Sequence, residues 1–122
     1  MRILGCWYTH FDPMRLDRDR ALLECSLRSI EKLAAASEKC EPVIATCVWK
    51  PLGSLNRFEE FVHWHRQSSH LCIAQQILRI LYEMEERGEA FDYVALLEHD
   101  VMYPHDYFDR IATAVESTED EG

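Results

Sequence analysis

The chain is poor in positive charge. Its 122 residues carry 13 Lys and Arg against 22 Asp and Glu, for a formal charge of −9, and the basic residues nowhere form a run. Nucleic acid and anionic membrane surfaces both require clustered Lys and Arg, so neither is expected as a partner. The acidity also constrains any phosphate ligand. A carboxylate about 4 Å from a phosphate is repelled by roughly 4 kcal/mol at an effective dielectric of about 20, so a bound diphosphate needs a cation in between. No CxxC spacing occurs among Cys6, Cys25, Cys40, Cys47 and Cys72, and their odd number speaks against a disulfide framework, as the spacing does against a zinc ribbon. Reduced thiols that behave as small apolar side chains are expected, as in an intracellular protein. No stretch reaches the roughly 18 consecutive apolar residues of a membrane-spanning helix, and Met1 and Arg2 lead straight into a strand-like segment rather than a secretory signal. A soluble, cytoplasmic protein is the expectation. Also lacking are an internal repeat, a low-complexity linker and a phosphate-binding GxxxxGKS or GxxxxGKT loop. A single domain remains, large enough for a real core.

What is present reads as alternating strands and helices. Ile3 to Tyr8 is a short apolar run, followed by the loop THFDPMRLD. From Arg18 to about Ala36, Leu23, Leu27, Ile30 and Ala34 recur at helical spacing, with Asp17 placed as the N-cap. Pro42 opens PVIATCVWKP, whose Val43, Ile44, Thr46 and Val48 favour a strand that Pro51 stops. Gly53 to Ser69 suggests a short helix within a loop, since Leu55, Phe58, Phe61, Val62 and His65 have helical spacing and Asn56 and Glu59 approximate a capping box. His70 to Arg87 predicts a helix whose buried face is Leu71, Ala74, Leu78, Leu81 and Tyr82, widened by Ile77 and Met84 and ended by Gly88. A third strand starts near Asp92. Pro104 suits the first turn of a last helix carrying Phe108, Ile111, Ala112 and Val115, before the acidic end STEDEG. The order implies an α/β plan, a three-layer αβα arrangement with a mainly parallel sheet. Right-handed crossovers then bring Tyr8 to Phe11, Trp49 to Leu52 and Glu98 to Met102 to one edge.

The most telling stretch is YVALLEHDVMYP, Tyr93 to Pro104. Its apolar run Tyr93 to Leu97 shows no polar alternation, so a strand covered on both faces is expected, with Glu98 and Asp100 at its C-terminal edge. Ligands of open α/β sheets bind beyond that edge. Two carboxylates with one residue between them can share a hard divalent cation, because oxygen donors suit magnesium or manganese.

The chain resembles the N-terminal, nucleotide-binding half of a glycosyltransferase of the GT-A fold, the nucleotide-diphospho-sugar transferases, from Met1 to about Glu116. LLEHDVMYP is similar to that family's DxD motif, and the helix AQQILRILYEM and the opening strand with its THFDP loop resemble the family as well. The resemblance implies a truncated GT-A, Rossmann-like domain over 1–116, and the residues of 117–122 read as an acidic disordered tail. It implies Asp100 as metal ligand for Mn2+ or Mg2+ and Glu98 as a ligand through water or a contact to the donor ribose. Tyr8, Thr9 and His10 match the region that meets the base and ribose. Glu98 stands where the family most often has Asp. The matched half lacks the acceptor-binding part, which a further domain or a partner chain would supply. Sugar transfer to an unidentified acceptor is therefore the functional expectation. The alternative is a non-catalytic or partial binding module, and a magnesium-dependent phosphotransfer domain is a third reading that lacks its phosphate loop.

Other chemistry-bearing residues read more plainly. His63, His65, His70 and Cys72 are zinc-ligand types, but their spacing fits no standard module, and His63 and His65 would face roughly 200° apart on a helix. Polar surface is the better reading. Trp7, Trp49 and Trp64 could stack on a base, with core favoured for Trp7 and Trp49. His99 is expected packed or hydrogen-bonded. Arg15, Arg18 and Arg20 are expected to pair with Asp17, Asp19 and Glu24, and Asp106 and Asp109 to serve the N-terminal turn of the last helix.

Overall fold

Strands and helices alternate along the computed structural model, which describes residues 1–9, 16–63 and 70–121, the side chains at 16, 70, 71 and 119–121 excepted. The elements are β1 (Arg2–Tyr8), α1 (Leu16–Ala36), β2 (Glu41–Val48), β3 (Glu59–Val62), α2 (His70–Glu86), β4 (Tyr93–Glu98) and α3 (Tyr107–Glu121). The strands form one four-stranded sheet in the order β3-β2-β1-β4, every neighbouring pair parallel. The protein is thus α/β with a parallel sheet. Among the described residues no helix is long and apolar enough to cross a membrane.

Alternation along the strands sorts the core into two layers. On one face Ile3 and Trp7 of β1, Ile44 and Val48 of β2, and Ala95 and Leu97 of β4 meet Leu23, Leu27, Ile30 and Leu33 of α1 and Phe108 of α3. On the other, Leu4, Cys6, Ala45, Cys47 and Phe61 meet Ile80 and Met84 of α2. Each large aliphatic side chain fully buried this way contributes about 1.5–3 kcal/mol. Trp7 and Trp49 are both core: the Trp7 indole donates to Ser26 Oγ at 3.1 Å, and that of Trp49 to Cys72 Sγ at 3.1 Å. All five cysteines are free, with Cys6, Cys47 and Cys72 buried, Cys40 intermediate and Cys25 exposed.

Several sequence expectations are corrected. Of the segment 53–69 the structure describes 53–63, and these hold no α-helix: a 3-10 turn at Gly53–Leu55 leads into β3, which adds a fourth strand beside β2, and 64–69 lie outside the described residues. That pairing sets Phe61 beside Cys47, under Ile80 and Met84 of α2. Asn56 heads no α-helix; it closes the 3-10 turn at its C-terminal end, its Oδ1 accepts from Phe58 N at 3.1 Å, and its Nδ2 donates to Thr46 Oγ1 at 2.8 Å and Glu60 Oε2 at 2.7 Å, tying the turn to β2 and β3. Asp17 lies inside the first turn of α1 rather than at its cap, where it still faces the positive end of the helix dipole. Pro104 precedes α3, its carbonyl accepting from Tyr107 N at 3.0 Å. α3 runs on through Glu121, since no helix-breaking residue comes before Gly122.

Two corrections concern burial. Among the described residues β4 is covered on one face only: it ends their sheet, and Val94 and Leu96 are 46% and 48% exposed on the side where α2 lies over β1 and β2. The sequence face of α2 is also displaced. Leu78 and Tyr82 are 62% and 61% exposed, whereas Cys72, Gln76, Ile80 and Met84, four residues apart, form the buried stripe. Gln76 made that stripe look polar, yet its Oε1 accepts from Thr9 N at 3.1 Å and its Nε2 lies 3.9 Å from Cys72 Sγ. A buried amide whose groups are engaged in this way avoids most of its desolvation cost.

The displaced face gives a direct test in urea unfolding. Ile80→Ala should cost about 2–5 kcal/mol, and Leu78→Ser no more than about 0.5 kcal/mol. Equal losses for the two would place the buried face where the apolar spacing alone puts it.

Candidate functional site

Because every strand is parallel, β1 and β4 end at the same edge, with Tyr8 and Glu98 as register partners. The chain order runs outward from β1 through β2 to β3 and then jumps back to β4, so it reverses between β1 and β4. At such a reversal a crevice opens outside the strand ends. The Tyr8 hydroxyl donates across it to Glu98 Oε1 at 3.0 Å. The Glu98 amide donates to the Tyr103 hydroxyl at 2.9 Å, folding the following loop back over the strand end. Tyr103 rests on Tyr107 with ring centroids 4.6 Å apart, and Tyr107 meets Phe108 edge-on at 5.4 Å. Phe108 belongs to the core, so an aromatic row connects the core to the carboxylate.

Glu98 is half-buried, and its second oxygen takes no hydrogen bond among the described residues. Asp100, two positions on, is exposed in the turn and forms no hydrogen bond or ion pair among them. Burial first, and the hydrogen bond to Glu98 second, push the Tyr8 phenol well above its ordinary range. It therefore stays a neutral donor to Glu98 at physiological pH. Burial also raises Tyr103, against the opposing pull of its bond from the Glu98 amide.

The structure brings together two of the residues singled out for the site, Tyr8 and Glu98, and sets Asp100 just beyond them. Thr9 is fully buried, its amide held by Gln76 of α2 and its hydroxyl without a partner among the described residues. His99 is buried. His10, Arg15, Trp64 and His65 lie outside the described residues, as do the side chains of His70 and Leu71. Among the described residues no group of three or more His, Cys, Asp and Glu could hold a metal. Arg18 pairs with Asp19 at 2.9 Å. Asp106 pairs with Arg110 at 2.8 Å, while the Asp109 carboxylate accepts from the amides of Glu38 at 3.1 Å and Lys39 at 3.0 Å, fastening the turn after α1 to α3. A mixed-charge groove of about 540 Å³, bounded by Lys39, Asp109 and Arg110, lies on α3 and away from Glu98.

Two contributors escaped the sequence reading. Tyr103 sits in VMYP, and only its return onto the Glu98 amide reveals its part. Gln76 looked like a surface residue of α2. Neither has a local signal, since each acts on a residue distant in the sequence or around a turn.

The raised phenol predicts a pH dependence. The neutral form is favoured in the fold, so the stability from Tyr8 is complete below the ordinary tyrosine value of about 10 and is lost as pH rises towards the folded value. Burial pushes the Cys6 and Cys47 thiols up to about 12, so they add a loss that starts from their ordinary value of about 9. Urea midpoints measured across alkaline pH should fall, and Tyr8→Phe should make the upper part of that fall shallower while leaving the portions due to the thiols and to the raised Tyr103 and Tyr107 phenols. An unchanged slope in Tyr8→Phe would mean that the phenol is not shifted.

No protein-family model, curated protein or solved structure matches the chain, so function is argued from the site itself.

Proposed function

We propose that this protein is a glycosyltransferase-like domain that binds the diphosphate of a nucleotide sugar through a divalent metal, Mn2+ or Mg2+, held by Asp100 and Glu98. The observation that carries the reading is the position of Glu98, joined to Tyr8 across the reversal of strand order, with the Asp100 carboxylate, unpaired among the described residues, two positions further on. The residues fit such an ion. Magnesium-like cations are commonly held by one or two carboxylates, with substrate phosphates and water completing the shell. Among the described residues Glu98 has one oxygen committed to Tyr8 and one without a hydrogen bond, and Asp100 is exposed two positions on.

When bound there, a divalent cation supplies charge compensation for a departing nucleoside diphosphate. The protein's own groups act around it. Tyr8 holds the Glu98 carboxylate by its Oε1, and Tyr103 holds the Glu98 backbone, so the second oxygen is presented at the strand end. In a chain of charge −9, a metal-free diphosphate would meet uncompensated repulsion at this edge. Binding is therefore expected to require the ion.

A second reading, a binding module without turnover, is favoured by one feature. At the ends of β1 and β4 the described carboxylates are Glu98 and Asp100 alone, both assigned to the metal, which leaves none as a base for an acceptor hydroxyl.

Calorimetric titration of uridine and guanosine diphosphates, with and without manganese, separates these possibilities from failure. Binding of at least one diphosphate should need manganese and weaken at least about tenfold in Asp100→Ala, a change of about 1.4 kcal/mol. Should neither diphosphate bind at millimolar concentration, or should manganese make no difference, the donor-site reading is wrong. Metal-dependent binding without hydrolysis or transfer of the sugar from a nucleotide sugar selects the binding module.

A further inference from the structure

The open side of β4 is built like a sheet edge that another strand completes. β4 pairs with β1 alone, one residue to one residue from Ile3 and Tyr93 to Tyr8 and Glu98, so its outward main-chain donors and acceptors have no neighbour strand among the described residues. Proteins guard such edges with lysine, proline, a bulge or a covering element. β4, YVALLE, has no lysine or proline, its continuous register leaves no bulge, and Tyr103 takes the Glu98 amide at its finish, which leaves Tyr93 to Leu97 as the stretch open to a strand. Its side chains are apolar towards both faces. Val94 and Leu96 stand exposed on the α2 side. On the α3 side Tyr93, Ile111, Ala114, Val115 and Thr118 line an apolar groove of about 290 Å³.

We propose that the outer edge of β4 receives a β-strand from a partner polypeptide, apolar on both faces and basic at its ends. Main-chain hydrogen bonds would provide affinity, and alternate side chains would fill the α3 groove and cover Val94 and Leu96, as in recognition by strand addition. The ends of β4 specify the charge. At its start Glu89 and Asp92 meet a single cation, Arg2, which Glu41 of β2 approaches from the other side at 3.8 Å. At its finish Glu98 and Asp100 have no ion-pair partner among the described residues. A second copy of the chain fits less well. Antiparallel pairing of β4 with itself about Ala95 sets Asp92 of each copy opposite Glu98 of the other, and like charges directly opposite destabilise a pair. The proposal stands apart from the metal reading, and its test is run without divalent metal.

The probe is a capped peptide of alternating valine and tyrosine between terminal lysines, with a twin carrying glutamates instead. Amide hydrogen exchange followed by NMR should show the lysine peptide protecting alternate β4 amides, with affinity at least about tenfold above the twin. Leu96→Lys should abolish the protection while leaving the urea midpoint unchanged, since Leu96 is about half exposed. Three outcomes overturn the proposal: neither peptide protects β4, both bind alike, or Leu96→Lys binds as the parent does. Protection of β4 that grows with protein concentration, without peptide, also overturns it in favour of a second copy.

Discussion

The constraint on which the structure depends is the crowding above Gly5 in the middle of β1. β1 is hydrogen-bonded to β2 on one side and to β4 on the other, and it is buried from Ile3 to Tyr8. A Cβ at Gly5 would sit 2.7 Å from Ile44 Cδ1, 3.0 Å from Leu97 Cδ1 and 3.6 Å from Phe108 Cζ. Side chains from β2, β4 and α3 therefore meet over the one residue that lacks a side chain. This close approach brings Phe108 down onto the sheet. Through Tyr107 and Tyr103, the same contact positions the amide of Glu98. Packing at the centre of the sheet thus reaches the carboxylate at its edge by a short run of aromatic rings.

Where local pattern and final burial agree, the sequence was readable. β1, α1 and β2 each present an apolar rhythm that matches the face they bury, and Leu23, Leu27 and Ile30 are in the core as their spacing suggests. β3 was not readable, because four residues carry too little pattern and Phe61 is buried by partners distant in sequence, β2 beside it and Ile80 and Met84 of α2 over it. α2 misled for a different reason. It is apolar on more than one side, and the stripe it buries includes Gln76, whose polarity is answered by Thr9 and Cys72, far apart in sequence from each other. The uniform apolarity of β4 suggested a covered strand, whereas it borders solvent on one face. Tyr8, Glu98 and Asp100 were legible for a simpler reason: in a parallel sheet, strand ends gather at one edge whatever the details of packing.

The pairing of Tyr8 with Glu98 reconciles an acidic edge with a stable fold. A half-buried carboxylate loses hydration, and a hydrogen bond from a neutral donor returns part of it without placing a positive charge nearby. An arginine in the position of Tyr8 would also satisfy Glu98, but it would compete with any cation for the same oxygens. A phenol whose ionisation is pushed upward remains a donor and leaves the negative charge of Glu98 available. The edge therefore keeps Glu98 ordered while it and Asp100 retain their attraction for positive charge.

That attraction links the two proposed ligands of β4. A divalent ion at Asp100 and a basic strand terminus beside Glu98 would draw on the same two carboxylates. Two unit positive charges about 4 Å apart repel by roughly 4 kcal/mol at an effective dielectric of about 20, and the doubled charge of the ion raises this further. Binding of either would therefore weaken the other, and linkage requires the weakening to be equal in both directions. The size of the effect depends on which end of the incoming strand lies near Glu98. A parallel strand brings its C-terminal end there and an antiparallel strand its N-terminal end, so a partner basic at only one terminus would couple to the metal in one orientation and escape it in the other. The geometry of β4, with its acids at the finish and its open side along its length, makes the strand's direction the quantity that decides whether the two ligands compete.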